Sequence, residues 1–288
     1  MELWLVYALG AAVFAALTTI FAKIGIRDVD SNLATAIRTV VVLFFAWIMV
    51  FVVGSQGEIF YADGRTWVFL ILSGLATGGS WLCFFHALKM GNVNQIVPLK
   101  KSSTILTMIF AFIFLGEPFG VFMIVGMVMI GVGTWLMTEM KKKENVGAKG
   151  NSWLFFGLLA AVFASLTAIL GRIGIENIEA NLGTAIRTFA VVPMAWLMVF
   201  ITKEHKGIGK IDRKSWLFLL LSGMATGASW LLFYRALQIG NASHVVPIDK
   251  LSIVLTMAFA GIFLGERFSK RSLAGLAILT AGTLLAII

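Results

Sequence analysis

The stretch LSGLATGGSWLCFFHALKMGN at residues 72–92 recurs as LSGMATGASWLLFYRALQIGN at residues 221–241, 149 positions later. The same offset aligns SNLATAIRTVV at 31–41 with ANLGTAIRTFA at 180–190, and it holds without a gap over most of both halves. Self-similarity at one fixed offset is the sequence signature of a repeated structural unit. The chain is therefore built from one unit that is present twice.

The composition is typical of a protein that lies in a membrane. Of the 288 residues, 59% are hydrophobic and 13% are charged, whereas soluble domains carry about 25% charged residues. The mean hydropathy is +0.95. The apolar residues form runs of about 20, the length that a helix needs to cross a hydrocarbon layer of about 30 Å. We predict an all-α integral membrane protein with ten transmembrane helices, at residues 3–23, 33–53, 67–88, 94–115, 119–138, 153–173, 182–202, 216–237, 243–264 and 272–288.

The ten spans divide into two five-helix repeats, at 1–138 and 153–288, joined by a basic linker at 139–152. Because five is odd, the second repeat is expected to enter the membrane from the opposite face, as in the inverted-topology repeats of secondary transporters. Such proteins place their site near the midplane and open it alternately to the two sides. A channel or a lipid scramblase is compatible with the same symmetry.

The basic residues of the predicted loops concentrate on one side of the membrane. They are Arg27, Lys89, Lys141, Lys142, Lys143, Lys149, Lys203, Lys206, Lys210, Arg213, Lys214, Arg267, Lys270 and Arg271. By the positive-inside rule this side is cytoplasmic, so we expect a multi-pass protein of the inner (plasma) membrane with a cytoplasmic linker and both termini outside. The net charge of +9 is mostly this topological signal. Because the basic residues form no continuous stripe, the charge does not indicate nucleic-acid binding.

Charges also occur inside two spans, at matching positions. VPLKKSSTIL at 97–106 contains Lys100 and Lys101, and VPIDKLSIVL at 246–255 contains Asp249 and Lys250. A charge near the bilayer centre costs about 2.5–3.5 kcal/mol on insertion scales, and such residues usually face a cavity or a partner. A proline precedes each pair, and proline bends a helix and frees a carbonyl. We therefore predict that the two helices bend here and line one end of a site near the membrane midplane.

The predicted central charges are mostly positive, because Arg38 and Arg187 also lie inside their spans. Excess cations with one acid favour a cargo that carries an anionic group, such as a carboxylate or a phosphate. The predicted substrate-binding residues are Lys100, Lys101, Asp249, Lys250, Arg38, Arg187, Thr77, Ser80, Trp81, Thr226, Ser229 and Trp230. The candidates for proton coupling are Asp249 and His86.

A structural role for the same charges is the alternative. In the inverted arrangement Glu266 shares a face with Arg38, and Glu117 shares the other face with Arg187, so both arginines are candidates for structural ion pairs. Asp249 is likewise able to neutralise Lys100 or Lys101. Neighbouring helical residues point about 100° apart, so we expect at least one of these two lysines to face the pore.

Several of these stretches are found together in a known family. The two five-helix units, the FLGE that ends each fourth span, SNLATAIRT and VPIDKLS together resemble the EamA-like branch of the drug/metabolite transporter superfamily, over essentially the whole chain. The resemblance implies a ten-helix secondary carrier, often an exporter of amino acids or related metabolites, with a central cavity lined by spans 1, 3, 4, 6, 8 and 9. By motif match it assigns Asp249 and Lys250 to the site. Lys100 departs from the pattern, because half-size members of the branch tend to have aspartate there.

The leading functional hypothesis is a secondary active transporter, an exporter or exchanger of small polar metabolites that carry an anionic group, such as amino acids. The alternatives are an exporter of lipophilic or amphipathic drugs, and a lipid flippase or scramblase. The chain contains no P-loop, no catalytic Ser/His/Asp arrangement and no metal-ligand cluster, and Cys83 is its only cysteine. We therefore expect a non-enzyme without cofactor or metal, whose partners are a small-molecule substrate and membrane lipid. It is expected to be a monomer or a weak homodimer.

Overall fold

The computed structural model describes residues 2–25, 29–90, 96, 99–137, 152–265 and 268–287, and across them the chain is helical, without a β-strand. Pro98, Glu266 and nearly all of the predicted linker lie outside the described residues. In chain order the α-helices are α1 (Leu3–Gly25), α2 (Ser31–Val53), α3 (Gly64–Met90), α4 (Ser103–Leu115), α5 (Val121–Met137), α6 (Ser152–Gly174), α7 (Ala180–Thr202), α8 (Arg213–Ile239), α9 (Ala242–Asp249), α10 (Ser252–Leu264) and α11 (Lys270–Leu285). Two short 3-10 helices, Ser55–Phe60 and Glu204–Lys210, follow α2 and α7.

Every predicted span overlaps at least one of these helices. Within the described residues, seven helical segments are long and apolar enough to cross a membrane: α1, α2, most of α3, α6, α7, α8, and α9 taken together with α10. The remaining three spans correspond to the shorter helices α4, α5 and α11. The prediction of an all-α membrane protein with ten crossings is confirmed.

The two repeats pack mainly on each other, through the first helix of one and the third helix of the other. On α8, Ser222 Oγ donates to the carbonyl of Thr18 and Ser229 Oγ donates to the carbonyl of Ala11, at 2.9 Å each. As the residue number rises along α8 it falls along α1, so the two helices are antiparallel. Because the first and third spans of one repeat run in the same direction, the second repeat is inverted relative to the first, as predicted.

The same contact occurs a second time, with the repeats exchanged. On α3, Ser73 Oγ donates to the carbonyl of Thr167 at 2.7 Å, and Ser80 Oγ donates to the carbonyl of Ala160 at 2.8 Å. All four residues lie 149 positions from their counterparts in the α1–α8 contact. The pair of contacts therefore defines a pseudo-two-fold axis that lies between the repeats.

Glycines bring α5 and α11 together across this axis. A Cβ added at Gly133 would lie 2.6 Å from the carbonyl oxygen of Gly275, and one added at Gly126 would lie 2.6 Å from that of Gly282. Gly275 and Gly282 are themselves the counterparts of Gly126 and Gly133 in the second repeat. Small residues let membrane helices approach closely enough for backbone contact, so these four positions have no room for a side chain.

The ninth span is broken just past its proline. After α9 the backbone turns through i→i+3 hydrogen bonds, from Lys250 N to Pro247 O and from Leu251 N to Ile248 O, both 2.9 Å long, before α10 begins. Such 3-10 turns inside a helix often mark functional hinges. The fourth span has a similar turn before α4, where Ser102 N donates to the carbonyl of Leu99 at 3.2 Å. Both interruptions occur next to the mid-span charges.

A carboxylate from the first repeat caps the broken span of the second. Glu117 follows α4 after Gly116, whose φ of 66° ends that helix. The Glu117 side chain is 8% exposed and accepts hydrogen bonds from the backbone N–H groups of Ala242 and Ser243, at 2.7 Å each. These are the first two residues of α9, whose N–H groups have no partner within the helix. Glu117 thereby anchors the short helix that presents Asp249.

The helix ends and the two 3-10 helices form two faces of the bundle. The basic face carries the beginnings of α2 and α8 and the Glu204–Lys210 helix, and the opposite face carries the beginnings of α3 and α7 and the Ser55–Phe60 helix. The basic face takes its name from Lys206 and Lys210 between α7 and α8 and from Arg213, the first residue of α8.

The glycine contact predicts a stability difference within α5. Gly133→Ala places a methyl group against the backbone of α11, which costs about 1–3 kcal/mol as overpacking. Gly131→Ala is the control, because a Cβ there meets only the tip of the Ile105 side chain at 3.2 Å. Thermal unfolding of the purified variants in detergent should show a lower midpoint for Gly133→Ala alone. Equal midpoints would contradict the close α5–α11 packing.

The cap on α9 predicts a second difference. Glu117→Ala removes two charge-assisted hydrogen bonds and should destabilise the protein by about 1–3 kcal/mol, with Glu117→Gln in between because one acceptor remains. Glu176→Ala on the same face is the control. That residue pairs with Arg65 at 3.5 Å with both side chains more than half exposed, and exposed pairs contribute little. The expected order of unfolding midpoints is wild type and Glu176→Ala, then Glu117→Gln, then Glu117→Ala.

Candidate functional site

A cavity of about 340 Å³ lies between the repeats, and it is called the central cavity here. Its walls come from α1, α3, α6, α8 and α9 and from the interrupted fourth span, which are the six spans implied by the family resemblance, together with Arg187 of α7. Alanines of α1 and α6, Ala15 and Ala164, contribute small side chains to the wall and so leave room for a molecule. The charged groups come from the other helices, which also supply most of the hydroxyl groups, and α6 adds the hydroxyl of Thr167.

Nine of the twelve predicted substrate-binding residues line the central cavity. They are Thr77, Ser80, Trp81, Lys100, Arg187, Ser229, Trp230, Asp249 and Lys250. Arg38, Lys101 and Thr226 do not line it. The structure therefore brings most of the predicted group together. Of the two predicted arginines, the one in the second repeat, Arg187, lines the cavity.

The acid of the site pairs with its own neighbour. Lys250 Nζ lies 3.3 Å from Asp249 Oδ2, and the two side chains keep 34% and 22% exposure. Asp249 therefore pairs with Lys250 and not, as the sequence allowed, with Lys100 or Lys101. Lys100 places its Nζ 4.1 Å from the centroid of the Phe84 ring, a cation–π contact. Among the described residues, no carboxylate comes within ion-pair distance of Lys100.

Arg187 is held rigidly at one end of the central cavity. Its side chain is 3% exposed, its Nε donates to Ser73 Oγ at 3.0 Å and its Nη2 donates to Thr77 Oγ1 at 2.7 Å. The guanidinium carbon lies 4.8 Å from the Trp230 ring and 4.9 Å from the Tyr234 ring. Its Nη1 is buried and has no hydrogen-bond partner in the described part of the chain. A buried unpaired donor is costly, so this nitrogen is a candidate contact for an acceptor on a ligand.

The candidate ion pair between Arg187 and Glu117 does not form in the structure. The Glu117 carboxylate is committed to the backbone of α9, and Arg187 contacts hydroxyl groups and aromatic rings instead. The reason is tertiary: the inverted packing places the end of α4 beside the beginning of α9. The matching pair of Arg38 with Glu266 falls outside the described residues.

Arg38 repeats the Arg187 arrangement in a looser form. Its Nη2 donates to Thr226 Oγ1 at 3.0 Å, and Thr226 Oγ1 lies 3.3 Å from Thr18 Oγ1. Thr77 and Thr167 stand in the same relation beside Arg187, also at 3.3 Å. Arg38 is half-buried where Arg187 is fully buried. The two arginines are thus equivalent by sequence and unequal by packing.

Two further cavities adjoin the central one. A cavity of about 200 Å³ runs from Trp81 and Lys100, which it shares with the central cavity, to Asn32 at the beginning of α2 and Met198 near the end of α7. It therefore leads toward the basic face. Another, of about 280 Å³, contains Lys101. His86 lines none of these cavities; its side chain is exposed and its ring packs edge-on against Phe156 at 4.2 Å.

Sequence reasoning missed several residues of the central cavity. Ser103, Thr104 and Thr107 lie three, four and seven residues after Lys100, and Phe233 and Tyr234 lie three and four after Trp230. Residues at these spacings share one face of a helix, so helical periodicity counted from a predicted site residue identifies them. Thr167 is the counterpart of Thr18 in the other repeat. No cluster of three or more potential metal ligands occurs among the described residues.

Comparison with known proteins agrees with this architecture. The sequence profile of the EamA-like transporter family matches twice, at residues 2–139 and 151–288. An "uncharacterized transporter in cobO 3'region" of Sinorhizobium sp is 43% identical over 134 residues, which is 46% of this chain and 95% of that protein. The "uncharacterized transporter YxxF" of Bacillus subtilis (strain 168) is 21% identical over 73% of this chain and 66% of its own length.

One solved crystal structure superposes with a TM-score of 0.77 at 16% identity, covering 97% of this chain and 94% of that one, which shows a shared fold. The Sinorhizobium relative is matched over nearly its whole length by less than half of this chain, so it corresponds in size to a single repeat. The family profile, by contrast, covers both repeats. With its inverted five-helix repeats, this chain belongs to the EamA-like transporter family and is a multi-pass membrane transporter.

Proposed function

We propose that the protein is a secondary carrier, exporter or exchanger, of small polar metabolites with an anionic group, such as amino acids. The observation that carries this proposal is the incomplete pairing of two cationic side chains in the central cavity. Arg187 is buried with one N–H₂ group unpaired, and Lys100 has no carboxylate partner among the described residues. Cations in a cavity without a carboxylate partner favour a carboxylate or phosphate on the ligand.

The remaining walls suit a small zwitterion. The lining contains three cations, Lys100, Arg187 and Lys250, against the single carboxylate of Asp249. That carboxylate has room to accept a ligand ammonium, because only Lys250 contacts it in the described structure. Trp81, Trp230 and Phe233 supply flat apolar surface, and a volume of about 340 Å³ falls at the small end of ligand sites. Asp249 is also the proton-coupling candidate we retain, since His86 lies away from the cavity.

Alternating access is supported by the unequal packing of the two repeats. Thr184 and Arg187 near the beginning of α7 are 0% and 3% exposed, whereas their counterparts Thr35 and Arg38 on α2 are half-buried. The cavity that leads toward the basic face is lined by Asn32 and Thr35 at the beginning of α2 and by residues near the end of α7. We infer a conformation closed at the opposite face and more open at the basic face. An exchange of the two packings between the repeats would reverse it.

The predicted topology indicates to which side of the membrane this conformation opens. The positive-inside rule makes the basic face cytoplasmic, which places both termini outside and residues 139–152 inside. We therefore propose an inward-facing state in an inner (plasma) membrane. The linker carries Lys141, Lys142, Lys143 and Lys149, which favour that orientation.

A ligand screen tests the proposed cargo class. Purified protein is heated with a panel of amino acids, keto acids, sugar phosphates, uncharged sugars and organic cations, and the unfolding midpoint is recorded. Anionic or zwitterionic compounds should raise the midpoint. Lys100→Gln and Arg187→Gln should each raise the half-saturating concentration of these compounds about tenfold or more, since each removes a charge-assisted hydrogen bond. Lys206→Gln at the exposed basic face is the control.

The alternatives give different outcomes. Stabilisation by lipophilic cations alone, or anion binding that is unchanged in both cavity variants, would contradict an anion-binding carrier. Movement of fluorescent lipids across protein-containing liposomes without a gradient would favour a scramblase. Saturable uptake of the stabilising compound, lost in Lys100→Gln, would support the carrier.

The proposed conformation predicts a labelling difference between counterpart residues. In a Cys83→Ser background, Thr35→Cys should react with a water-soluble maleimide at least tenfold faster than Thr184→Cys, because Thr184 is fully buried and Thr35 is not. A stabilising ligand should change the two rates in opposite directions. Equal rates at both positions in the absence of ligand would contradict an asymmetric resting state.

A further inference from the structure

A second polar cavity lies beside the central one, at the two broken spans. It has a volume of about 280 Å³ and is lined by Lys100, Lys101 and Lys250, by hydroxyl groups that include those of Ser103, Thr104 and Ser252, and by apolar residues of α5 and α11. Lys100 and Lys250 line both cavities, whereas Lys101 lines only this one. It is called the axial cavity here. The proposed cargo site does not account for it.

The lining of the axial cavity consists largely of counterpart pairs. Lys101 corresponds to Lys250 at the 149-residue offset, and Ser103 corresponds to Ser252. Ile130 of α5 and Leu279 of α11 form a further such pair on its wall. A cavity lined by both members of each pair lies on the pseudo-two-fold axis. When the repeats exchange their conformations, such a site keeps the same counterpart pairs in its lining.

The charges of the axial cavity are unbalanced. Three ammonium groups line it, and no carboxylate is among its described lining residues. Asp249 contacts Lys250 at 3.3 Å from the side of the central cavity, and Lys100 lies on the face of Phe84. Lys101 has neither kind of contact in the described structure. Cations at the depth of a membrane midplane face a water-filled cavity or pair with another group, and the side chain of Lys101 is exposed to this cavity. The hydroxyls beside the ammonium groups add neutral donors.

We propose that the axial cavity binds one small inorganic anion of the halide class, which stays with the protein through the transport cycle. The three ammonium groups can only donate hydrogen bonds and the hydroxyl groups can donate as well, so the lining favours an anion over a cation. Ile130 and Leu279 add apolar wall. The bound anion offsets the repulsion between Lys101 and Lys250. It also shares Lys100 and Lys250 with the central cavity, so its occupancy tunes how strongly those lysines attract the cargo.

Chloride itself is the probe, and Lys101 is the residue to change because it does not line the cargo site. The unfolding midpoint of purified protein is measured while sodium chloride replaces sodium gluconate at constant ionic strength. Wild type and Lys206→Gln should show a saturable rise in midpoint. Lys101→Gln should raise the half-saturating chloride concentration about tenfold or more, and Lys101→Arg, which keeps the charge, should retain the response.

A second variant guards against loss of folding in Lys101→Gln. The double substitution Ser103→Ala and Ser252→Ala removes two hydroxyl donors from opposite sides of the axis and should also weaken the chloride response. Absence of a chloride response in wild type, or an unchanged half-saturation in both altered proteins, would overturn the proposal. A response to acetate without one to chloride would assign the site to carboxylates and likewise overturn it.

Transport of the anion tests whether it is resident. Once a cargo is known, proteoliposomes loaded with radiolabelled chloride should retain it while the cargo moves. Chloride movement in fixed proportion to the cargo would overturn the resident role. A failed cargo screen would leave the chloride titration intact, because that titration needs no cargo.

Discussion

Hydrogen bonds from serine and arginine side chains across the repeat interface are the constraint on which this structure depends. In hydrocarbon an unsatisfied polar group is costly, so partners within the bundle stabilise buried hydroxyl and guanidinium groups. Here the partners come from the other repeat: Ser73 and Ser222 bond carbonyls of α6 and α1, and Arg187 bonds the hydroxyls of α3. The two five-helix units therefore complete each other's polar contacts. The central cavity lies where those contacts meet.

Much of the architecture was predictable from the sequence because it follows from length and repetition. The 149-residue offset, the odd number of spans and the apolar run lengths together determine an inverted all-helical bundle. The mid-span charges of the fourth and ninth spans were equally visible. Of the neighbouring lysines, Lys100 reaches the central cavity and Lys101 does not, as expected for residues about 100° apart on a helix.

What the sequence did not predict depended on contacts between distant segments. Glu117 was a candidate partner for Arg187 because the sequence indicates how deep each residue lies in the membrane. It does not indicate which helix lies next to that residue. The inverted packing puts the beginning of α9 next to Glu117, and two backbone N–H groups there outcompete a side chain. The unequal burial of Arg38 and Arg187 was also hidden, since their sequence surroundings are nearly identical.

The contrast between Lys100 and Asp249 has an evolutionary consequence. In a protein assembled from two identical half-size subunits, any residue near the symmetry axis meets a copy of itself, so a lone carboxylate there always faces another carboxylate. Joining the two units in one polypeptide releases each copy to diverge. The two halves of this chain differ at many positions, and at one of them Lys100 in the first half corresponds to Asp249 in the second. Covalent fusion thus makes accessible a heterogeneous binding chamber that two identical subunits related by a symmetry axis could not form.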